Sequence, residues 1–99
     1  MLRHVVCVTW KPDAAPDVDG LRAALASLPG VIPEIRAYSC GTDLALVEGN
    51  ADFGIVADFD DADAWHRYQD HPEHRRIVTD LIRPHSAVRT AVQFDVPPH

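Results

Sequence analysis

The stretch Leu2-Arg3-His4-Val5-Val6-Cys7-Val8-Thr9-Trp10 decides the fold. Its β-branched content makes it a strand, and successive strand residues point to opposite faces. Here both sets, Leu2/His4/Val6/Val8 and Val5/Cys7/Thr9, are largely apolar, so the strand must be covered on both sides. Working outward, Pro12 and Pro16 end it, and Asp17 is placed to cap a helix. Val18, Leu21, Leu25 and Leu28 then recur at helical spacing until Pro29-Gly30 stops them. Gly20 inside that helix costs about 1 kcal/mol relative to alanine, so the helix leans on packing.

Ile35 to Cys40 reads as a second strand, with turns at Gly41-Thr42-Asp43 and Gly49-Asn50. Between the turns, Leu44-Ala45-Leu46-Val47 either extends a hairpin or forms an arm against a partner. Phe53 to Phe59 is a third strand, apolar on both faces apart from Asp58. Asp60-Asp61-Ala62-Asp63 supplies a cap and first-turn carboxylates for a helix carrying Trp65 and Tyr68 on one face. Pro72 restarts the helix, whose inward stripe is His74, Ile77, Val78 and Leu81 before Pro84 closes it. Ala87 to Val96 is the fourth strand.

The order β-α-β-β-α-β describes a ferredoxin-like α+β domain spanning residues 1–99, with both helices on one face of a four-stranded antiparallel sheet. The other face carries Val5, Cys7, Val56 and either Val92 or Ala91. It is too apolar for water, so a second copy should cover it and make a homodimer that closes an α+β barrel.

Composition narrows the function. Nine basic residues stand against fifteen acidic ones, a formal charge of -6, and the basic residues form no stripe, which argues against nucleic acid. No stretch approaches the roughly 20 apolar residues of a membrane span and no leader pattern opens the chain, so the expected setting is cytoplasmic. Cys7 and Cys40 then read as apolar filler and not as a bridge.

The segment Tyr68-Gln69-Asp70-His71-Pro72-Glu73-His74 aims a phenol and an imidazole toward the interior. If the face of His4 also meets the helices, His4, Tyr68 and His74 border one pocket lined by Val6, Val8, Leu21, Leu25, Ile55 and Leu81. The helix start disfavours the His74 imidazolium and Glu73 favours it, so the sign of its pKa shift is open. The structural alternatives stay open too: His74 also suits a core or capping role, and Tyr68 also suits simple packing. His71 and His74, with His66 and His85, lack the partners of a metal site, and Pro72 splits the pair. Asp58, Asp60, Asp61 and Asp63 lack the glycine and distal glutamate of a calcium loop. No metal is expected.

With these residues in view, the chain resembles the dimeric α+β barrel family of stress-responsive A/B barrel (Dabb) domains. The likeness rests on Arg3-His4-Val5-Val6, Leu28-Pro29-Gly30-Val31-Ile32-Pro33, Asp52 to Phe59, Tyr68 with His71-Pro72-Glu73-His74, and Val92-Gln93-Phe94-Asp95. It implies a homodimer. The plant polyketide-cyclase branch places a tyrosine and histidines at positions matching Tyr68, His74 and His4. By that resemblance His74 is a general base at carbon beside a carbonyl and Tyr68 donates to the enolate, with no cofactor. Leu21, Arg22 and Leu25 stand where that branch has bulky aromatics. The resulting expectation is a protein that binds a small hydrophobic carbonyl or aromatic compound, as a cyclase or isomerase. The alternative is a non-catalytic stress-associated homodimeric domain. A cofactor-independent monooxygenase, resting on Trp10 and Trp65, is a third reading.

Overall fold

The computed structural model describes residues 1–99. Four strands, β1 (Leu2–Trp10), β2 (Ala37–Thr42), β3 (Phe53–Phe59) and β4 (Ser86–Asp95), form one antiparallel sheet in the order β2-β3-β1-β4. Helices α1 (Val18–Ala26), α2 (Ala62–Asp70) and α3 (Pro72–Ile77) complete the β-α-β-β-α-β plan. The order is the ferredoxin-like one expected from the sequence.

Local chemistry accounts for the element ends. The Asp17 carboxylate accepts the Gly20 N–H at 2.9 Å and caps α1. A Cβ on Gly20 would lie 2.3 Å from that carboxylate, so the glycine that weakens the helix interior is what lets the cap close. Asp61 caps α2 by accepting from Ala64 N–H at 2.8 Å. His71 caps α3 through Nδ1, which accepts from Glu73 N–H at 3.1 Å, and Pro72 occupies the first helical position.

Two expectations need correction. The second strand starts at Ala37 and not at Ile35, because Ile35 N–H closes a turn onto Ile32 O at 3.2 Å while its side chain anchors the loop in the core. The last helix is also not regular: α3 passes into a π turn over Val78–Ile82 and a 3-10 turn over Arg83–His85. The extra residue in a π turn rotates everything beyond it, so Ile82 is buried and Leu81 only half so.

The core lies between the helices and the inner face of the sheet. Val6, Val8, Phe53, Ile55, Ala57 and Phe59 meet Leu21, Leu25, Leu28, Ile32, Tyr68, Ile77 and Ile82 there. Register sorts the other face: Val5 pairs with Val56 on one side and Val92 on the other, and Cys7 with Gly54 and Thr90. Val92 therefore shares the open face, whereas Ala91, opposite Val6, points toward the helices. Val88, Val92 and Phe94 are exposed on that open face, Phe94 at 47%. Also on it, Arg3 forks onto the Asp58 carboxylate at 2.8 and 2.9 Å, and His99 Nε2 reaches the same group at 2.6 Å. The Arg3 guanidinium holds the Asp58 carboxyl below the usual carboxylate range.

Pairing of β2 with β3 ends at Thr42 opposite Phe53, so Leu44–Val47 does not lengthen the hairpin. The loop turns on Asp43, whose carboxylate accepts from Ala45 N–H and Asn50 Nδ2, and it leaves Leu46 85% exposed. Both cysteines are free.

Candidate functional site

The helices cover β2, β3 and β1 but stop short of β4, and the space left is a cavity of about 760 Å³. Its apolar walls are Val6, Val8, Leu25, Ile55, Val78 and Ile82, and its polar groups include His4, Tyr68, His74 and Arg89. The trio expected from the sequence is brought together. Four of the six expected lining residues are present, and two are not. Leu21 packs in the core and is not part of the cavity wall, and the π turn puts Ile82 where Leu81 was expected.

His4 is 2% exposed, sits edge-on to Trp65 at 5.7 Å between ring centroids, and lies 6.3 Å from the Tyr68 ring. Its Nδ1 accepts from the Gln93 side-chain amide at 2.8 Å, which leaves the ring proton on Nε2. Burial, with the Arg89 charge adding to it, lowers its pKa to about 4. His4 is therefore neutral at pH 7, and its Nε2–H is a donor and not a base.

The His74 ring packs against that of Tyr68, tilted by 44° with centroids 4.2 Å apart. Its Nδ1 lies 3.4 Å from the Gln69 carbonyl oxygen, a long contact that favours Nδ1–H and leaves the Nε2 lone pair free. Burial is the main cause that moves its pKa down, the Gln69 carbonyl opposes it, and Arg89, His71 and Arg75 add to the fall. The sign left open by the sequence is thus down. Glu73, the group expected to oppose it, turns instead to Arg76 at 3.4 Å.

Tyr68 is buried, and its hydroxyl is 3.0 Å from that of Tyr38 on β2. Burial drives both phenol pKa values up, Tyr38 far above its ordinary range and Tyr68 to about 12. Either hydroxyl can donate in that contact; in the arrangement with Tyr38 donating, the Tyr68 O–H is left for the cavity.

Sequence reasoning missed Tyr38, Gln93 and Arg89. Arg89 faces inward because it pairs with Val8 on β1, and Gln93 because it pairs with His4. The other candidate constellations dissolve. His71 is spent on its cap, Asp58 and Asp60 are held by Arg3 and Arg36, and no three histidine, cysteine or acidic side chains converge to hold a metal. No helix is long and apolar enough to cross a membrane.

The family model for the stress responsive A/B barrel domain matches residues 2–96. The chain belongs to the Dabb family. An uncharacterized protein of Streptomyces coelicolor is 32% identical over 81 residues, covering 79% of this chain and 84% of that one. Among solved structures, a dimeric ferredoxin-like protein of unknown function from Thermobifida fusca is 44% identical with a TM-score of 0.87, over 96% of this chain and 90% of that one. A hydroxynitrile lyase from Passiflora edulis has the same fold at 16% identity, with a TM-score of 0.81 over 99% of this Dabb chain and 94% of the lyase.

Proposed function

We propose that this Dabb protein is a homodimer that binds a small hydrophobic carbonyl or aromatic compound in each protomer and catalyses cofactor-free proton transfer, as a cyclase or isomerase of the polyketide-cyclase kind. The observation that carries the reading is an imidazole whose pKa is lowered by burial and whose Nε2 has no hydrogen-bond partner, packed 4.2 Å between centroids from a buried phenol, both lining one cavity with apolar walls. The His74 Nε2 takes a proton from carbon beside the carbonyl. The C–H electron pair moves into the enolate, whose oxygen accepts the Tyr68 O–H. The enolate carbon then attacks a second carbonyl of the same molecule, or is reprotonated elsewhere, and His74 returns the proton. His4 offers its Nε2–H from the floor.

Dimerisation is supported by the apolar open face of the sheet and by the dimeric relative from Thermobifida fusca. A non-catalytic role would suit a collapsed cavity and a fully satisfied His74. The cavity is instead roomy, and His74 has one long contact.

The test is exchange of the methyl protons of acetophenone in heavy water, followed by NMR. Wild-type protein should accelerate it and His74→Ala should lower the rate by about 10²-fold, the usual worth of a positioned base. Tyr68→Phe should lower it less. Equal rates for wild type and His74→Ala would refute the assignment.

A further inference from the structure

We infer that the compound held in this cavity is a carboxylate, with Arg89 as its anchor and Arg83 at the rim. The inference rests on the small-molecule reading above and names the class of compound. Its first support is charge segregation: the chain carries fifteen acidic and nine basic residues, yet no acidic side chain lines the cavity while Arg75, Arg83 and Arg89 do. A recess of positive potential in a negatively charged protein concentrates anions there.

The second support is partnership. Arg75 is held by Asp70 at 3.2 Å, and Arg3, Arg36, Arg67 and Arg76 each have a carboxylate of their own. Arg83 and Arg89 form no ion pair or side-chain hydrogen bond although acidic residues outnumber basic ones, and Arg22, outside the cavity, is the one other arginine without a carboxylate. Arg89 is also set by the fold, because its register partner on β1 is the wholly buried Val8. Its guanidinium therefore projects over the apolar floor on the same side as His4, where a carboxylate would meet a planar fork of donors.

The third support is the field that Arg89 exerts on the chemistry. Its charge pushes down the pKa values of His4 and His74 and favours the ionised form of Tyr68. A carboxylate seated on Arg89 cancels part of that field, so occupancy strengthens His74 as a base at the moment substrate arrives.

The experiment compares 4-acetylbenzoate with its methyl ester, two probes of one shape that differ in charge, by titration into the full-length protein with the histidine ring resonances followed by NMR. Wild type should bind the acid about tenfold or more tightly than the ester, since hydrogen bonds between a guanidinium and a charged partner are the stronger ones. The preference should shrink as salt is raised. Arg89→Gln should abolish the preference while leaving ester affinity in place. Arg76→Gln, which removes a guanidinium held by Glu73 away from the cavity, should retain it. An ester that binds as tightly as the acid, or a preference that survives in Arg89→Gln, overturns the carboxylate inference while the pocket reading stands. If neither probe moves the His4 and His74 resonances, the pocket reading itself falls, and this inference falls with it.

Discussion

Lowering the pH should destabilise this protein through His4 in a window set by burial. The imidazole titrates near 6.5 in the unfolded chain and at about 4 in the folded one. Between those values the unfolded state binds the extra proton, so stability is fully present above the unfolded pKa and is lost as the pH falls toward the folded one. At 1.36 kcal/mol per pKa unit, the His4 contribution to the loss is about 2 kcal/mol by pH 5 and about 3 kcal/mol by pH 4. The assay is urea unfolding at fixed protein concentration across pH 7 to 4, wild type against His4→Asn. The asparagine Oδ1 can still accept from Gln93 but does not titrate. His74, whose pKa is also lowered by burial, adds a loss of the same sign to both proteins, so the difference between the two curves isolates His4. The two profiles should converge as the pH falls. Parallel profiles between pH 7 and 5 would refute the claim that the imidazole is held neutral by burial.

Two further outcomes test the packing. Ile82→Ala should cost about 3 kcal/mol in urea unfolding and Leu81→Ala less than half of that, because the π turn buries the former and leaves the latter half-exposed; equal costs would mean a regular helix through this segment. Phe94→Glu places a charge on the open sheet face and should convert a dimer to a monomer in analytical ultracentrifugation; an unchanged dimer would put the subunit interface elsewhere.

The fold was legible wherever periodicity was unambiguous. Leu2–Trp10 and Phe53–Phe59 match the observed strands end for end, and Asp17, Asp61 and Pro72 mark helix starts where their chemistry places them. Failures came where two structures share one pattern. Ile35 is apolar whether it opens a strand or plugs a loop, and only the hydrogen bond back to Ile32 distinguishes them. A π turn has no signature in an apolar stripe, so the 3.6-residue period carried on from Val78 falls one residue short, at Leu81 in place of Ile82. For the site, His4, Tyr68 and His74 could be grouped because each sits on an identifiable inner face. Tyr38 could not, because the misplaced strand start hid its partnership with Tyr68.

Arg89 and Gln93 were within reach of the same reasoning. Along Val88-Arg89-Thr90-Ala91-Val92-Gln93-Phe94 the large apolar side chains and the polar ones alternate with period two. In a sheet with helices on one side and water on the other, the apolar set should face the helices. Here it is inverted: Val88, Val92 and Phe94 lie on the open face, and Arg89 and Gln93 lie on the helix side. One strand therefore meets two opposite demands. Its outer set supplies an apolar surface that needs a cover, and its inner set keeps polar groups where no helix reaches. The arginine and glutamine there set the chemistry instead: Gln93 donates to Nδ1 of His4, and Arg89 lines the cavity, its charge adding to the burial that lowers the pKa of both imidazoles. The inversion of β4 is thus the point at which the apolar open face and the candidate site are decided by the same seven residues.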